Sequence, residues 1–176
     1  MLILIATRME ARAFLDRCRD LSESCPAPGL MLYQGRFADT AFGLLVTGPG
    51  VLNTVHGLST YLNGCPESAG LIIQAGIAGA FRESGLSVGD LAVAASEQYL
   101  HTGVSAEGIC PDPLPFDLIA GRESSRSGRY NTEPAFARAW QQRLETGLAR
   151  AGVPARVGFG AFLTVSVITG SIEQAS

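Results

Sequence analysis

The stretch "LIIQAGIAGAF", residues 71–81, decides the fold. Leu71-Ile72-Ile73 is a short continuous apolar run of the kind that forms a buried strand. It breaks at Gly76-Ile77-Ala78-Gly79 into a glycine-rich turn, where a backbone can come close to a ligand. Two more junctions of this type precede it. "LILIA" (2–6) reads as a buried strand and runs into Thr7-Arg8-Met9-Glu10 and a helical pattern carrying Phe14, Cys18 and Leu21 on one face. "AFGLLVTG" (41–48) reads as a strand that meets "GPG" (48–50) and a helix with Val51, Val55, Leu58 and Leu62 at helical spacing. Apolar strands alternating with helices predict an α/β class with a largely parallel central sheet. In such sheets ligands collect at the carboxyl ends of the strands, where all three junctions fall.

The remaining pattern fits the same class. "LMLYQGRF" (30–37) and "AFGLLVTG" predict a hairpin closed near Asp39-Thr40, and "CPAPG" (25–29) breaks the chain before it. Residues 70–75 are expected as a third buried strand and "VGDLAVAASE" (88–97) as another. From Tyr99 to Asn131 periodicity dissolves into a long loop region. Thr132-Glu133-Pro134 then opens a helix with Phe136, Trp140, Leu144 and Leu148 as its core stripe and Gly152 as its stop. "ARVGFGAFLTVSVITG" (155–170) supplies one or two final strands, and "SIEQAS" (171–176) reads as a first helical turn.

Composition narrows the function. The chain has 176 residues, enough for one domain with a real core, and is 47% hydrophobic and 16% charged. Net charge is −3, and the 13 basic residues are all arginine and form no basic patch, which argues against nucleic acid and acidic membranes as partners. Cys18, Cys25, Cys65 and Cys110 form no C-x-x-C pair and no ligand spacing with a histidine. A reduced, cytoplasmic protein without a metal site is expected. No stretch is both long and apolar enough for a membrane span, and the N-terminus lacks the basic start of a signal peptide.

Each junction has a structural and a chemical reading. Thr7-x-x-Glu10 is a capping box, with Thr7 capping the helix and Glu10 reaching back to the Thr7 N–H. Glu10 is equally a carboxylate able to act on water, and the helix N-terminus would hold it ionised. "GPG" can offer free N–H groups to a hydroxyl or anion, or be a plain tight turn. "GIAG" lacks the G-x-G-x-x-G spacing, so a dinucleotide site is disfavoured. His56 and His101 have no catalytic partner at a recognisable spacing, and Asp90 is explained by turn chemistry.

The order "IATRMEARAFL", "VTGPGVLNT", "QAGIAGAF…GLSVGDLAVAASE" resembles the purine nucleoside phosphorylase and nucleosidase superfamily. Within it the chain most resembles futalosine hydrolase of the menaquinone pathway, whose relatives include methylthioadenosine/S-adenosylhomocysteine nucleosidases. The resemblance covers nearly the whole chain and implies one domain over 1–176, a three-layer αβα sandwich with a mixed, partly barrel-like sheet. It implies Glu10 as the residue that activates the nucleophilic water. It implies Thr7 and Pro49 in the ribose pocket, Ile77, Ala78 and Gly79 under the nucleoside, and Val167 and Ile168 beside the base. No metal or organic cofactor is implied. The family is dimeric or larger, and the loop from Cys110 to Phe116 would lie near a partner's site.

Three departures from the family pattern bear on the chemistry. Where the phosphorylase branch has a phosphate-binding arginine, two residues before the first loop glycine, this chain has Gln74. An amide supplies neither the charge nor the bidentate fork, so hydrolysis is favoured over phosphorolysis. His101-Thr102 stands where relatives carry an acidic residue. Relatives also continue beyond the equivalent of Ser176 with a Met-Glu pair that holds the ribose hydroxyls and a loop that protonates the base, so a C-terminal portion is expected to be lacking. The activity implied is release of hypoxanthine or adenine from futalosine or aminodeoxyfutalosine. A methylthioadenosine/S-adenosylhomocysteine nucleosidase, a phosphorylase and a nucleoside-binding protein without turnover are the alternatives.

Overall fold

The computed structural model describes residues 1–64, 70–104 and 111–165. It comprises two compact units, Met1–Gly79 and Ala80–Ser176. The first carries β1 (Leu2–Ile5), α1 (Arg8–Leu15), β2 (Arg19–Ser24), β3 (Met31–Phe37), β4 (Thr40–Val46), α2 (Val51–Gly64) and β5 (Ile72–Gln74). Its five strands form one mixed sheet in the order β2-β3-β4-β1-β5. β1 runs parallel to β4 and β5, whereas β3 is antiparallel to β2 and β4.

Strand alternation builds a core on each face of this sheet. Leu2, Leu4, Leu32 and Leu45 turn to one side and pack with Leu30 and with Tyr61 of α2. Ile5, Tyr33, Phe42 and Leu44 turn to the other and pack with Ala11 and Leu15 of α1, and Phe14 meets the rings of Phe37 and Phe42. Each fully buried leucine contributes about 1.5–3 kcal/mol, and Leu2, Leu44 and Leu45 are of this kind. Helix, sheet and helix are therefore layered within this unit.

α2 approaches the sheet through Gly57, where a Cβ would lie 2.9 Å from Thr47 Cγ2. The helix thus buries Gly57 and Tyr61, while Val51 and Val55 of its apolar spacing stay exposed. The hairpin closes as expected, with Phe37 opposite Thr40 and Ala38 at φ 49° in the turn.

Two expectations in this unit fail. α1 ends at Leu15, so Cys18 and Leu21 are not on its face; Cys18 Sγ donates to the Phe14 carbonyl and Leu21 belongs to β2. β2 is an edge strand exposed along its length and held through backbone pairing to β3, so it leaves no alternation to read. β5 is not a buried strand either: it is short and at the sheet edge, with Ile72 and Gln74 exposed.

The second unit carries β6 (Leu91–Tyr99), β7 (Arg129–Asn131), α3 (Pro134–Ala151) and β8 (Val157–Thr164). Its sheet runs β7-β6-β8, with β6 parallel to β8 and antiparallel to β7. β6 starts at Leu91, because Val88 and Gly89 form the turn before it. α3 is capped by the Glu133 carboxylate on the N–H groups of Ala135 and Phe136 and stopped by Gly152 at φ 65°. The small Ala137 is its buried residue, and Phe136, expected in the core, is 47% exposed. Arg138 lies 3.6 Å over the Phe159 ring and covers β8 instead.

The described residues between Tyr99 and Asn131 are more ordered than the composition there suggests. The Ser125 hydroxyl bonds the Arg122 carbonyl and the Ile119 N–H, and Arg126 pairs with Asp117 at 2.7 Å. Val104 bridges to Asp112. Two mixed sheets with helices give the expected α/β class, and among the described residues no barrel closes. The first sheet is not largely parallel, since its β2–β3–β4 meander is antiparallel, whereas in the second the long β6–β8 pairing is parallel and only the short β7 is antiparallel. "SIEQAS" and Cys110 lie outside the described residues.

Candidate active site

β1, β4 and β5 are mutually aligned, so their carboxyl ends open on one side of the sheet. The ladder runs past the strand ends: Thr47 N–H donates to the Ile5 carbonyl, Gly48 N–H to that of Ala6 and Ala75 N–H to that of Leu4. The three glycine or threonine junctions singled out in the sequence therefore leave the sheet side by side. Gly48 (φ 86°) and Gly50 (φ 94°) adopt the left-handed region that the turn into α2 requires. Pro49 between them is exposed, with its carbonyl accepting from Asn53.

Glu10 joins two of these junctions. Its Oε2 accepts from the Thr7 N–H at 2.8 Å and from the Thr7 hydroxyl at 2.6 Å, and that hydroxyl accepts from the Glu10 N–H at 3.3 Å. This is the complete capping box. Its Oε1 accepts from the Ile77 N–H at 3.0 Å, across 67 residues of chain. Partial burial opposes ionisation, but the bonds from the Thr7 hydroxyl, the Ile77 N–H and the Thr7 N–H outweigh it and hold the carboxyl below its ordinary range. Glu10 is ionised at neutral pH and fastens the glycine-rich turn to the start of α1. Gly76 makes this closeness possible: a Cβ there would stand 3.0 Å from Oε1.

The carboxylate lines a cavity of about 310 Å³ with Ile3, Ile5, Phe14, Leu44, Ala75, Gly76 and Ile77. Among these described lining residues Glu10 alone is ionisable. An apolar recess with one oriented carboxylate and an adjoining glycine turn suits a small neutral ligand with a polar reacting atom. Ile77 lines the recess and is itself 81% exposed. Ala78 and Gly79 follow it in exposed chain, Thr7 and Pro49 stand at the neighbouring junctions, and Val167 and Ile168 lie outside the described residues. Phe14 and Ile3 were read from the sequence only as packing positions. Their spacing, one helical turn from Glu10 and two residues from Ile5, is the signal that aligns them with the carboxylate.

Other candidates are accounted for separately. Gln74 is exposed at the end of β5. Asp90 accepts from the Ser87 N–H, the turn role expected of it, and also from the Arg156 N–H before β8, a contact the turn reading did not contain. His56 is exposed on α2. A second cavity of about 660 Å³ between α1 and β2 is lined by Arg8, Arg12, Asp16 and Glu23 among others, a balanced set of charges that excludes Glu10. Among the described residues no cluster of three or more His, Cys, Asp or Glu converges to hold a metal, and no helix is long and apolar enough to cross a membrane.

No protein-family model matches the chain, and no curated protein does. Solved structures do. A 5′-methylthioadenosine/S-adenosylhomocysteine nucleosidase from Neisseria meningitidis, in complex with methylthio-immucillin-A, aligns over 99% of this chain and 68% of its own, with 19% identity and a TM-score of 0.73. An S-adenosylhomocysteine nucleosidase from Streptococcus pyogenes, in complex with 5-methylthiotubericidin, aligns over 99% and 66%, with 21% identity and a TM-score of 0.73. A futalosine hydrolase mutant of Helicobacter pylori aligns over 99% and 71%, with 18% identity and a TM-score of 0.70. The chain spans about two thirds of the length of these proteins. At such identities the likeness is one of fold: this chain has the fold shared by the nucleosidases of the purine nucleoside phosphorylase and nucleosidase superfamily.

Proposed function

We propose that the protein is an N-ribosyl hydrolase that cleaves the N-glycosidic bond of a purine nucleoside. The observation that carries this reading is the Glu10 carboxylate, ionised, held at a helix N-terminus and opening on an apolar recess beside the glycine-rich turn. In the reaction a water oxygen bonds to the anomeric carbon as the bond to the purine nitrogen breaks. The bonding pair leaves with the base, the water proton passes to Glu10, and the departing base takes up a proton at a ring nitrogen. Glu10 then gives up its proton to solvent. The lowered acidity range makes Glu10 a modest base. It is well matched to orienting water and stabilising the positive charge of an oxocarbenium-like transition state, in which water is barely deprotonated.

Futalosine or aminodeoxyfutalosine is the substrate we favour, with release of hypoxanthine or adenine in menaquinone biosynthesis, on the sequence resemblance and the fold shared with a futalosine hydrolase. Methylthioadenosine or S-adenosylhomocysteine is the second reading, favoured by the fold shared with nucleosidases solved in complex with methylthio-immucillin-A and 5-methylthiotubericidin. Gln74, uncharged and exposed, supports water over phosphate as nucleophile. Thr7, Pro49, Ile77, Ala78, Gly79, Val167 and Ile168 are proposed as the substrate-contacting set. A cytoplasmic homo-oligomer acting without a cofactor completes the proposal. Incubation with futalosine, aminodeoxyfutalosine and methylthioadenosine, followed by chromatography of free base, tests it. The expected result is base release by the wild type and loss of it in Glu10→Gln; release at the wild-type rate by that variant removes Glu10 from the mechanism.

A further inference from the structure

We infer that Oε1 of Glu10 is the atom that takes the proton from water, and that Thr7 and Gly76 are positioning residues that reserve it for this role. The inference rests on the nucleosidase reading and deepens it. A carboxylate offers about four acceptor sites, two on each oxygen. Thr7 fills both sites of Oε2, one with its N–H and one with its hydroxyl. The hydroxyl also receives the Glu10 N–H, which fixes the direction in which its own proton points. Oε1 accepts the Ile77 N–H, and among the described residues its second site is open.

Ile77, whose N–H Oε1 accepts, and Gly76, whose added Cβ would stand 3.0 Å from it, both line the recess with Glu10, and Thr7, bound to Oε2, does not. Among the described residues no second ionisable group reaches Glu10 from β1, β4, α1 or the 75–77 turn that wall the recess; partial burial and the three hydrogen bonds set its proton affinity. Gly76 keeps the site uncovered. A methyl at this position would stand 3.0 Å from Oε1 and 3.9 Å from Cδ, in the space an incoming water needs. Gly76 is not in the left-handed region, so alanine is disfavoured by this contact and not by the backbone. Thr7, implied by the resemblance to meet the ribose, has its hydroxyl committed to the carboxylate in both directions.

Thr7→Ser, Thr7→Val and Gly76→Ala separate these roles. Two readouts are needed: the pH profile of kcat/KM for purine release, and the titration of the Glu10 carboxyl by carbon-13 NMR, which requires no activity. Thr7→Ser, which keeps the hydroxyl, leaves the Glu10 titration at wild type. Thr7→Val moves the Glu10 titration and the acidic limb of the profile upward together and lowers kcat about 10-fold or more. Gly76→Ala lowers kcat about 10-fold while the Thr7 cap on Oε2 persists. An unmoved Glu10 titration in Thr7→Val overturns the role of Thr7, and a wild-type rate in Gly76→Ala overturns that of Oε1. Failure of the wild type to release base from any nucleoside overturns the nucleosidase reading and the proton-accepting role with it. The titration still decides whether Thr7 positions Glu10.

Discussion

Replacing Glu10 by glutamine changes one atom, yet it cannot be structurally silent. The carboxylate receives three donors: Thr7 N–H, Thr7 hydroxyl and Ile77 N–H. An amide has one oxygen. With that oxygen toward Thr7, the NH2 group faces the Ile77 N–H; reversed, it faces the Thr7 N–H. The hydroxyl can turn to accept, but the backbone donors cannot. One charge-assisted bond is lost in either arrangement, a loss of about 1.5–3 kcal/mol when no water replaces it. Ile77 is exposed, so water takes up the released N–H and the lower end applies. Loss of the charge at the α1 N-terminus adds about 0.3–1 kcal/mol. Together Glu10→Gln should destabilise the fold by about 2 kcal/mol near neutral pH. For a chain of this size that is a fall of about 4–8 °C in Tm.

The pH dependence follows from the lowered acidity range. Glu10 titrates below its ordinary 4.5 in the folded protein. Its stabilisation is therefore complete above that value and is lost as pH falls through the folded one. Urea unfolding followed by circular dichroism, near neutral pH and again in acid, should show the gap between wild type and Glu10→Gln closing in acid. Equal stability at neutral pH, or a gap that widens in acid, would refute the hydrogen-bond accounting.

Glycine substitutions should show opposite signs in the two units. Gly57→Ala brings a methyl within 2.9 Å of Thr47 Cγ2 and 3.2 Å of Leu30 Cδ2, and overpacking of about 1–3 kcal/mol outweighs a helix-propensity gain of about 1 kcal/mol. Gly147→Ala in α3 meets nothing within 4 Å and should stabilise by up to about 1 kcal/mol; urea midpoints of the two variants compare them directly. Gln74→Arg should raise phosphate affinity about tenfold in calorimetry if this strand end is where the phosphorylase branch binds its anion, and no change would detach Gln74 from the choice of nucleophile.

What was legible in the sequence had a periodic or short-range cause. Leu2 and Leu4 alternate with Ile3 and Ile5 because β1 is covered on both faces, and Thr7-x-x-Glu10 is a cap whose two partners are three residues apart. Glu133-Pro134 and Gly152 mark α3 for the same local reason. β2 left no trace because an exposed edge strand needs no apolar face, and it is held mainly through backbone pairing. On α3 the stripe of Trp140, Leu144 and Leu148 is half-buried as read, and only Phe136 is misplaced, with the small Ala137 buried beside it. The bond from Ile77 to Glu10 could not be read at all, since no pattern links residues 67 positions apart. It is nevertheless what turns a helix cap into a candidate catalytic group.

The central claim, hydrolysis of a purine nucleoside by water oriented at Glu10, is tested most directly by isotope. The protein is incubated with futalosine, aminodeoxyfutalosine or methylthioadenosine in oxygen-18 water without phosphate, and the sugar product is weighed by mass spectrometry. The expected products are free hypoxanthine or adenine and a sugar with one heavy oxygen at its anomeric carbon. Intact nucleoside, or base release that appears only with phosphate and yields a sugar phosphate, would contradict it.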